Sequence, residues 1–437
     1  MEYITTGFYL LLFIWLVLKL PFFRDNFVSK PYIVGAFILK VAGGWFFIWL
    51  NNVYYFNSGD AVTYFKAGKL IYNTLFEDPL FFLELTFFPN ARIPPQHLNE
   101  IIDTIPSWSD VRSYTAIRFN ALAHLVSFHV YPTHALFGTF MSFTGLMALY
   151  KTFTAYFPKR AIWVFGCCFC VPSVVFWTSG LHKDGISMLF TGLMVWNAYL
   201  LIEKGFKTRR IAALLMNGLL LLLIRPYTLG LLVPALMLWY IAKKIRPVRP
   251  LLFYSGAYVF GYAALSLLSL VSQKLNVFAK LAEVRYYFVI YKLGGSDIPL
   301  SLLDPTWQAF LTELPRALVN ALMRPEPWGN IDLMQKIASA ETLVFSMFAL
   351  FCLVFNNLRQ LPYRYFLYAC LFFVLTSLML IGLTTDNLGA IVRYRSNLLP
   401  FWLSFWGIVL QLPDKWMPFG KKTPKNELQP NPTDYSS

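Results

Sequence analysis

Of 437 residues, 57% are hydrophobic, 18% aromatic and only 14% charged, whereas a soluble globular domain carries about a quarter charged residues. With a mean hydropathy of +0.53, this composition excludes a soluble globular protein and predicts an all-α polytopic membrane protein. The net charge of +15 falls mostly in short gaps between apolar runs, where Lys and Arg are topogenic signals and call for no nucleic acid.

In chain order the apolar runs lie at about 4–21, 32–51, 133–150, 160–177, 185–202, 211–224, 226–242, 250–271, 341–356, 364–383 and 396–411. At roughly 20 residues per crossing they predict about eleven transmembrane helices. The first run lacks a basic leader and a small-residue cleavage site, so it reads as a retained helix. Basic gaps mark the cytoplasmic side: Arg24 and Lys30; Lys151, Lys159 and Arg160; Lys204, Lys207, Arg209 and Arg210; Lys243, Lys244, Arg246 and Arg249; Arg359 and Arg364; and the tail lysines from Lys415. The C-terminus is therefore expected inside and the N-terminus outside. The mid-span Lys19 and Lys40 are placed to snorkel.

Two long segments, 52–132 and 272–340, then fall on the outer face and hold most of the Asp and Glu. Within the first, residues 115–130 interleave Arg118, Asn120, His124 and His129 with apolar residues, which predicts an amphipathic helix lying in the interface. Residues 1–420 are expected to form one transmembrane domain, with 421–437 a polar, disordered cytoplasmic tail. All five cysteines lie inside apolar runs and read as packing residues, and neither a disulfide framework nor a metal site is expected of them.

The outer face gathers the chemistry. Asp60, followed by Tyr64 and Lys66, stands just beyond the second run at the start of a short helix, either as an N-cap or as a general base at the membrane edge. The stretch from Pro172 to Ser187 turns sharply at Ser179 and Gly180 and presents His182, Lys183 and Asp184 together. Arg225 sits at the turn of a hairpin whose ascending arm, about 14 residues from Ile211, spans only about 21 Å of a roughly 30 Å hydrocarbon core unless it also includes Thr208 to Arg210. An arginine below the surface marks an anionic partner, either a ligand or an intraprotein carboxylate such as Asp60 or Asp184. Arg285, Lys292, Arg316 and Arg324 are interleaved with Tyr286, Tyr287, Tyr291, Trp307 and Trp328, a composition that suits sugar stacking and phosphate pairing as well as an interfacial belt. Arg393 and Arg395 head the last span, to bind a lipid phosphate or to anchor the helix. No DxD, HExxH, GxSxG or P-loop pattern occurs.

Together these features resemble the GT-C superfamily of membrane glycosyltransferases, the polyprenyl-phosphate-sugar-dependent group that includes protein O-mannosyltransferases and aminoarabinose transferases. The likeness covers about residues 32–242. The family's first acidic residue maps to Asp60, its interfacial helices to about 62–130, its basic helix end to Tyr150 and Lys151, its proline to Pro172 and its second acid to Asp184. Two departures stand out: a helix precedes the one before the acidic loop, and Gly59 with Asp60 replaces the usual acidic pair.

The resemblance implies transfer of a sugar from a polyprenyl-phosphate donor to a glycan, lipid or protein acceptor on the outer face of a bacterial cytoplasmic membrane, with inversion at C1. Asp60 is then the general base and Asp184 a second catalytic acidic residue, orienting the acceptor or the base. Lys183, His182, Arg225, Arg324, Arg393, Arg395 and Tyr64 are candidate substrate-binding residues. No cofactor is called for, and a divalent ion is left open. Membrane lipids are the remaining expected partners. A polysaccharide polymerase or ligase would use the same donors. A transporter or flippase would instead place ionisable residues along a path through the bilayer, and no paired broken helices of an inverted repeat are seen.

Overall fold

The computed structural model describes residues 2–53, 59–88, 105, 108, 110–291, 296–328, 332–359 and 361–411. The tail at 421–437 and Lys292 lie outside these residues. The described residues are mostly helical and hold no strand, only two isolated β-bridges, Asp297 to Asn387 and Asn356 to Leu410.

In order the helices are α1 (Glu2–Lys19), α2 (Lys30–Val53), α3 (Asp60–Asn73), α4 (Pro79–Phe87), α5 (Val111–Ser127), α6 (Tyr131–Tyr156), α7 (Ala161–Phe169), α8 (Pro172–Trp177) and α9 (Lys183–Lys204). There follow α10 (Thr208–Ile224), α11 (Pro226–Ile245), α12 (Pro250–Val271), α13 (Val277–Tyr291), α14 (Trp307–Met323), α15 (Leu333–Val354), α16 (Arg364–Thr384), α17 (Leu388–Ser396) and α18 (Leu399–Val409). Seven of the described helices, α1, α2, α9, α11, α12, α15 and α16, are long and apolar enough to cross a membrane. The other four apolar runs are helical too. Of these, α10 and α18 are shorter, at 17 and 11 residues. The run 160–177 is broken into α7 and α8 where Pro172 cannot continue the helix. The backbone N–H of Ser173 exposed by that break donates to the Glu341 carboxylate of α15 at 3.0 Å, which satisfies a group that a helix start leaves open.

Helices α6 and α9 form the centre of the bundle. Their backbones meet so closely that a Cβ on Gly192 would lie 1.9 Å from the Gly145 carbonyl oxygen, the small-residue contact by which helices pack in an apolar medium. Around this contact Phe143, Phe153, Phe169, Phe366 and Trp239 are fully enclosed.

Two expectations change here. Lys40 does not snorkel: it is 1% exposed and its ammonium donates to the Val174 carbonyl and the Thr178 hydroxyl, because a cation turned into the bundle keeps partners that lipid would not supply. The helix α5 has inverted polarity. Asn120 and His124 are each 1% exposed, whereas Leu125 and Val126 are turned outward at 43%. Its polar residues face α3 and α6: His124 Nε2 lies 3.0 Å from the Phe65 carbonyl, and His134 contacts Asn120 at 3.2 Å.

Candidate active site

The turn before α9 carries the first set of groups. Gly180 has φ of +102°, a conformation that side chains with a Cβ resist, and it brings Thr178 and Ser179 inside, where both are wholly buried. Asn120 on α5 donates to the Leu181 carbonyl at 3.0 Å and ties the turn to the neighbouring helix. His182, not Asp184, is the N-cap of α9: its Nδ1 accepts from the Asp184 N–H at 3.2 Å. Asp184 is free to point elsewhere, within the first turn, where a helix N-terminus favours negative charge.

Its carboxylate is enclosed completely, at 0% exposure, and meets two guanidinium groups. Arg225 Nη2 donates to Oδ1, and Arg393 Nε donates to Oδ2 at 2.5 Å. Of the two readings of Arg225, the intraprotein ion pair is the one present, and its partner is Asp184. The arginine also sits over the Tyr394 ring at 4.8 Å and donates to the Tyr227 hydroxyl.

Arg393 then links this buried carboxylate to an accessible one. Its Nη2 stands 3.0 Å from Asp60 Oδ2, and the Asp60 side chain is 44% exposed. Asp60 is the first residue of α3, with Gly59 as the N-cap and no side-chain capping bond. The capping role therefore does not account for Asp60. One guanidinium thus joins carboxylates from α3 and α9 that are distant in sequence.

A second polar chain adjoins the first. Lys183 Nζ donates to the Ser113 hydroxyl at 3.0 Å and lies 5.5 Å from the Tyr64 ring centroid. The Tyr64 hydroxyl is 3.2 Å from Ser113, and Ser113 donates to Asp110 Oδ2 at 2.6 Å. Asp110 also caps α5 by accepting from the Arg112 N–H. Neither Asp110 nor Ser113 was singled out from sequence; the only signal was an Asp at a helix start, which by itself means a cap.

The electrostatics follow from these neighbours. Burial would raise the Asp60 carboxyl, but the positive charges of Arg393 and Lys183 outweigh it and hold its pKa below the usual carboxylate value. At neutral pH it is an ionised carboxylate with an open face. Burial raises the Tyr64 phenol, and the Asp60 charge adds to the rise, so Tyr64 stays protonated. Burial lowers His182 to about 4, partly offset by Asp184. It is therefore neutral, with its proton on Nε2, a buried position with no hydrogen-bond partner among the described residues.

Two residues expected at this site stand elsewhere. Arg395, 5% exposed, faces away from Arg393: its Nη1 donates to the carbonyls of Ala321, Leu322 and Arg324 at 3.0, 3.2 and 3.1 Å, and its Nη2 to the Thr342 hydroxyl at 2.6 Å. Residues two apart on a helix point to opposite sides. The side chain of Arg324 lies at the end of α14 and pairs with Glu326 at 3.4 Å. In the same region Arg285 is fully enclosed as a clamp, donating to the Ser301 and Leu383 carbonyls and to Glu313 at 2.8, 3.2 and 3.2 Å. Tyr286, Tyr287, Tyr291 and Trp328 are all exposed. Among the described residues, no group of three or more His, Cys, Asp or Glu is arranged to hold a metal ion.

No family model matches the chain, and neither does any curated protein or solved structure. The chemistry of the site therefore rests on its geometry. An accessible, ionised carboxylate beside fixed cations can take a proton from a hydroxyl or amine. The same cations can stabilise negative charge as it develops on a nearby leaving group.

Proposed function

We propose that this chain is an integral membrane glycosyltransferase of the GT-C type, which moves a sugar from a polyprenyl-phosphate donor to an acceptor on the outer face of the membrane. In this reading the eleven apolar runs all cross, the N-terminus lies outside and the C-terminus in the cytoplasm, and the membrane is a bacterial cytoplasmic one.

The reaction joins the acceptor oxygen or nitrogen to C1 of the sugar as the bond from C1 to the phosphate oxygen breaks. The acceptor proton passes to the Asp60 carboxylate, and the polyprenyl phosphate departs with the bonding electron pair. Attack from the face opposite the leaving group inverts C1. Lys183 and Arg393 stabilise the charge that builds on the departing phosphate. Asp184 acts through Arg393 and Arg225: it holds both guanidinium groups in place and touches no solvent itself. It is thus a positioning residue for Asp60 more than an acid in its own right.

The observation that carries this reading is the bridge at Arg393 between an enclosed carboxylate and an open one. A purely structural ion cluster gains nothing from leaving Asp60 at 44% exposure. A through-membrane path would need further ionisable groups along the bundle, and the inward-facing Lys40 instead takes the Val174 carbonyl and the Thr178 hydroxyl as local partners.

Mass spectrometry of lipid-linked sugars and surface glycans in cells lacking the gene tests the proposal. Accumulation of one polyprenyl-phosphate sugar and loss of one glycan modification is the expected result. Unchanged pools, with altered uptake or export of a solute, would overturn it.

A further inference from the structure

Ser113 joins α3, α5 and α9 through its hydroxyl, yet it has no part in the transfer chemistry itself. A serine hydroxyl has one proton and two lone pairs. Burial would raise the Asp110 carboxyl, but hydrogen bonds from Ser113 and Arg112 outweigh it and lower its pKa to about 2, so Asp110 only accepts. The Arg112 N–H and Nε take Oδ1 at 3.2 and 2.9 Å, and the Ser113 proton goes to Oδ2 at 2.6 Å. The two lone pairs then receive the Lys183 ammonium at 3.0 Å and the Tyr64 O–H at 3.2 Å. Ser113 is 6% exposed, and its donor and both acceptor positions are used.

Capping of α5 explains the bond from Ser113 to Asp110. It does not explain the bond from Lys183, 70 residues away in sequence. A lysine ammonium beside an open carboxylate ordinarily moves to pair with it. Tyr64 stands one turn after Asp60 on the same face of α3, and Lys183 Nζ lies 5.5 Å from the Tyr64 ring centroid, so the flexible lysine stem has Asp60 within reach. The cation that pairs with Asp60 is nevertheless Arg393, and Lys183 rests on a neutral oxygen. Direct pairing would cover the carboxylate that must take the acceptor proton and draw the ammonium away from the phosphate.

We propose that Ser113 is a positioning residue, which holds the Lys183 ammonium off Asp60 so that the base stays open and the cation stays available to the leaving group. Asp110 fixes the direction of the Ser113 hydroxyl and so keeps its lone pairs turned to Lys183 and Tyr64. The inference deepens the transferase reading and rests on it for what the base and the cation do.

The test is the rate of acetylation of Lys183 by acetic anhydride, read by mass spectrometry on the full-length protein in lipid nanodiscs at mildly alkaline pH. In Ser113→Ala the released ammonium should settle on Asp60, where the carboxylate keeps it protonated and slows labelling about threefold. Adding Asp60→Asn should abolish that slowing, and Ser113→Thr, which keeps the hydroxyl, should label as wild type does. Ser113→Cys, with a much weaker acceptor, takes the place of the alanine variant if that one does not fold. Sugar transfer should fall about tenfold in Ser113→Ala and return in Ser113→Thr. Unchanged or faster labelling in Ser113→Ala would overturn the proposal, and so would a slowing that persists with Asp60→Asn, the mark of a merely structural role. Failure of the two proposals is separable. Asp60-dependent slowing in a protein that transfers no sugar would sink the transferase reading alone, and sugar transfer by the wild type with labelling unchanged in Ser113→Ala would sink the positioning role alone.

Discussion

Arg393 and Arg395 lie two residues apart on one short helix, about 200° around its axis, and they occupy opposite kinds of environment. Arg393 bridges two carboxylates, one of them open to the surroundings. Arg395 is wrapped by three carbonyl oxygens and a hydroxyl at the end of α14, a closed knot that leaves no accessible anion. The difference teaches that a partly enclosed cation is a candidate for a reactive site when its counter-charge is partly exposed, as at Arg393 and Asp60. Where backbone oxygens enclose it, it is part of the packing.

The largest effect on stability should come from the centre of the Arg393 region. Asp184→Asn leaves Arg225 and Arg393 inside the protein without their shared anion, and breaking such a buried pair costs about 3–5 kcal/mol. Thermal unfolding in detergent should show a large drop in Tm, and a wild-type Tm would break the comparison on the first side. On the other side, Arg395→Met strips partners from the α14 carbonyls and should cost about 1–3 kcal/mol, while transfer per folded molecule stays at the wild-type level. Loss of turnover in correctly folded Arg395→Met protein would show that the two arginines are not distinct after all.

The pH dependence sharpens the same contrast. His182 has its folded pKa lowered to about 4, so the unfolded chain binds the extra proton first, near the ordinary pKa of about 6.5. The stability that neutral His182 contributes is therefore fully present above about pH 6.5 and declines as pH falls towards 4, by at most about 1.4 kcal/mol per pH unit for this one group. The buried His124, also lowered to about 4 by burial, adds in the same direction. His182→Asn keeps an N-cap acceptor and should flatten the acid dependence without abolishing it; a slope identical to wild type would contradict the assignment of His182 as a buried neutral ring. The smallest pH effect is expected from Lys183→Met, which removes one of the cations that depress Asp60, although turnover itself should fall with the loss of a charge that stabilises the departing phosphate. The acid limb of the pH–rate profile should move upward by less than about one pH unit, and a downward shift would contradict the ionised-base reading.

Much of this site was legible in the sequence because charge in an apolar chain is costly and so marks itself. Asp60, His182, Lys183, Asp184, Arg225 and Arg393 stood out as ionisable residues at helix ends, and they do converge. What the sequence could not supply was the pairing. Whether Arg225 would meet Asp60, Asp184 or a ligand depended on the packing of α9 against α11 and α17, which no local pattern encodes. The separation of Arg393 from Arg395 follows from helical periodicity, but only once Leu388–Ser396 is known to be helical. Asn120 and His124 misled for a related reason: interleaved polar and apolar residues indicate two faces, and the chain does not say which face turns inward. The apolar runs themselves located helices well, although composition alone makes only seven of them long and apolar enough to cross.

The central claim is that Asp60, held ionised by Arg393, accepts the acceptor's proton. It is tested most directly in cells whose only copy of the gene carries Asp60→Asn, by measuring the polyprenyl-phosphate sugar pool together with the amount of protein in the membrane. The account predicts donor accumulation equal to that of a deletion strain at wild-type protein levels, because the amide keeps the shape of the carboxylate and cannot take the proton. A donor pool at the wild-type level in that strain would contradict it.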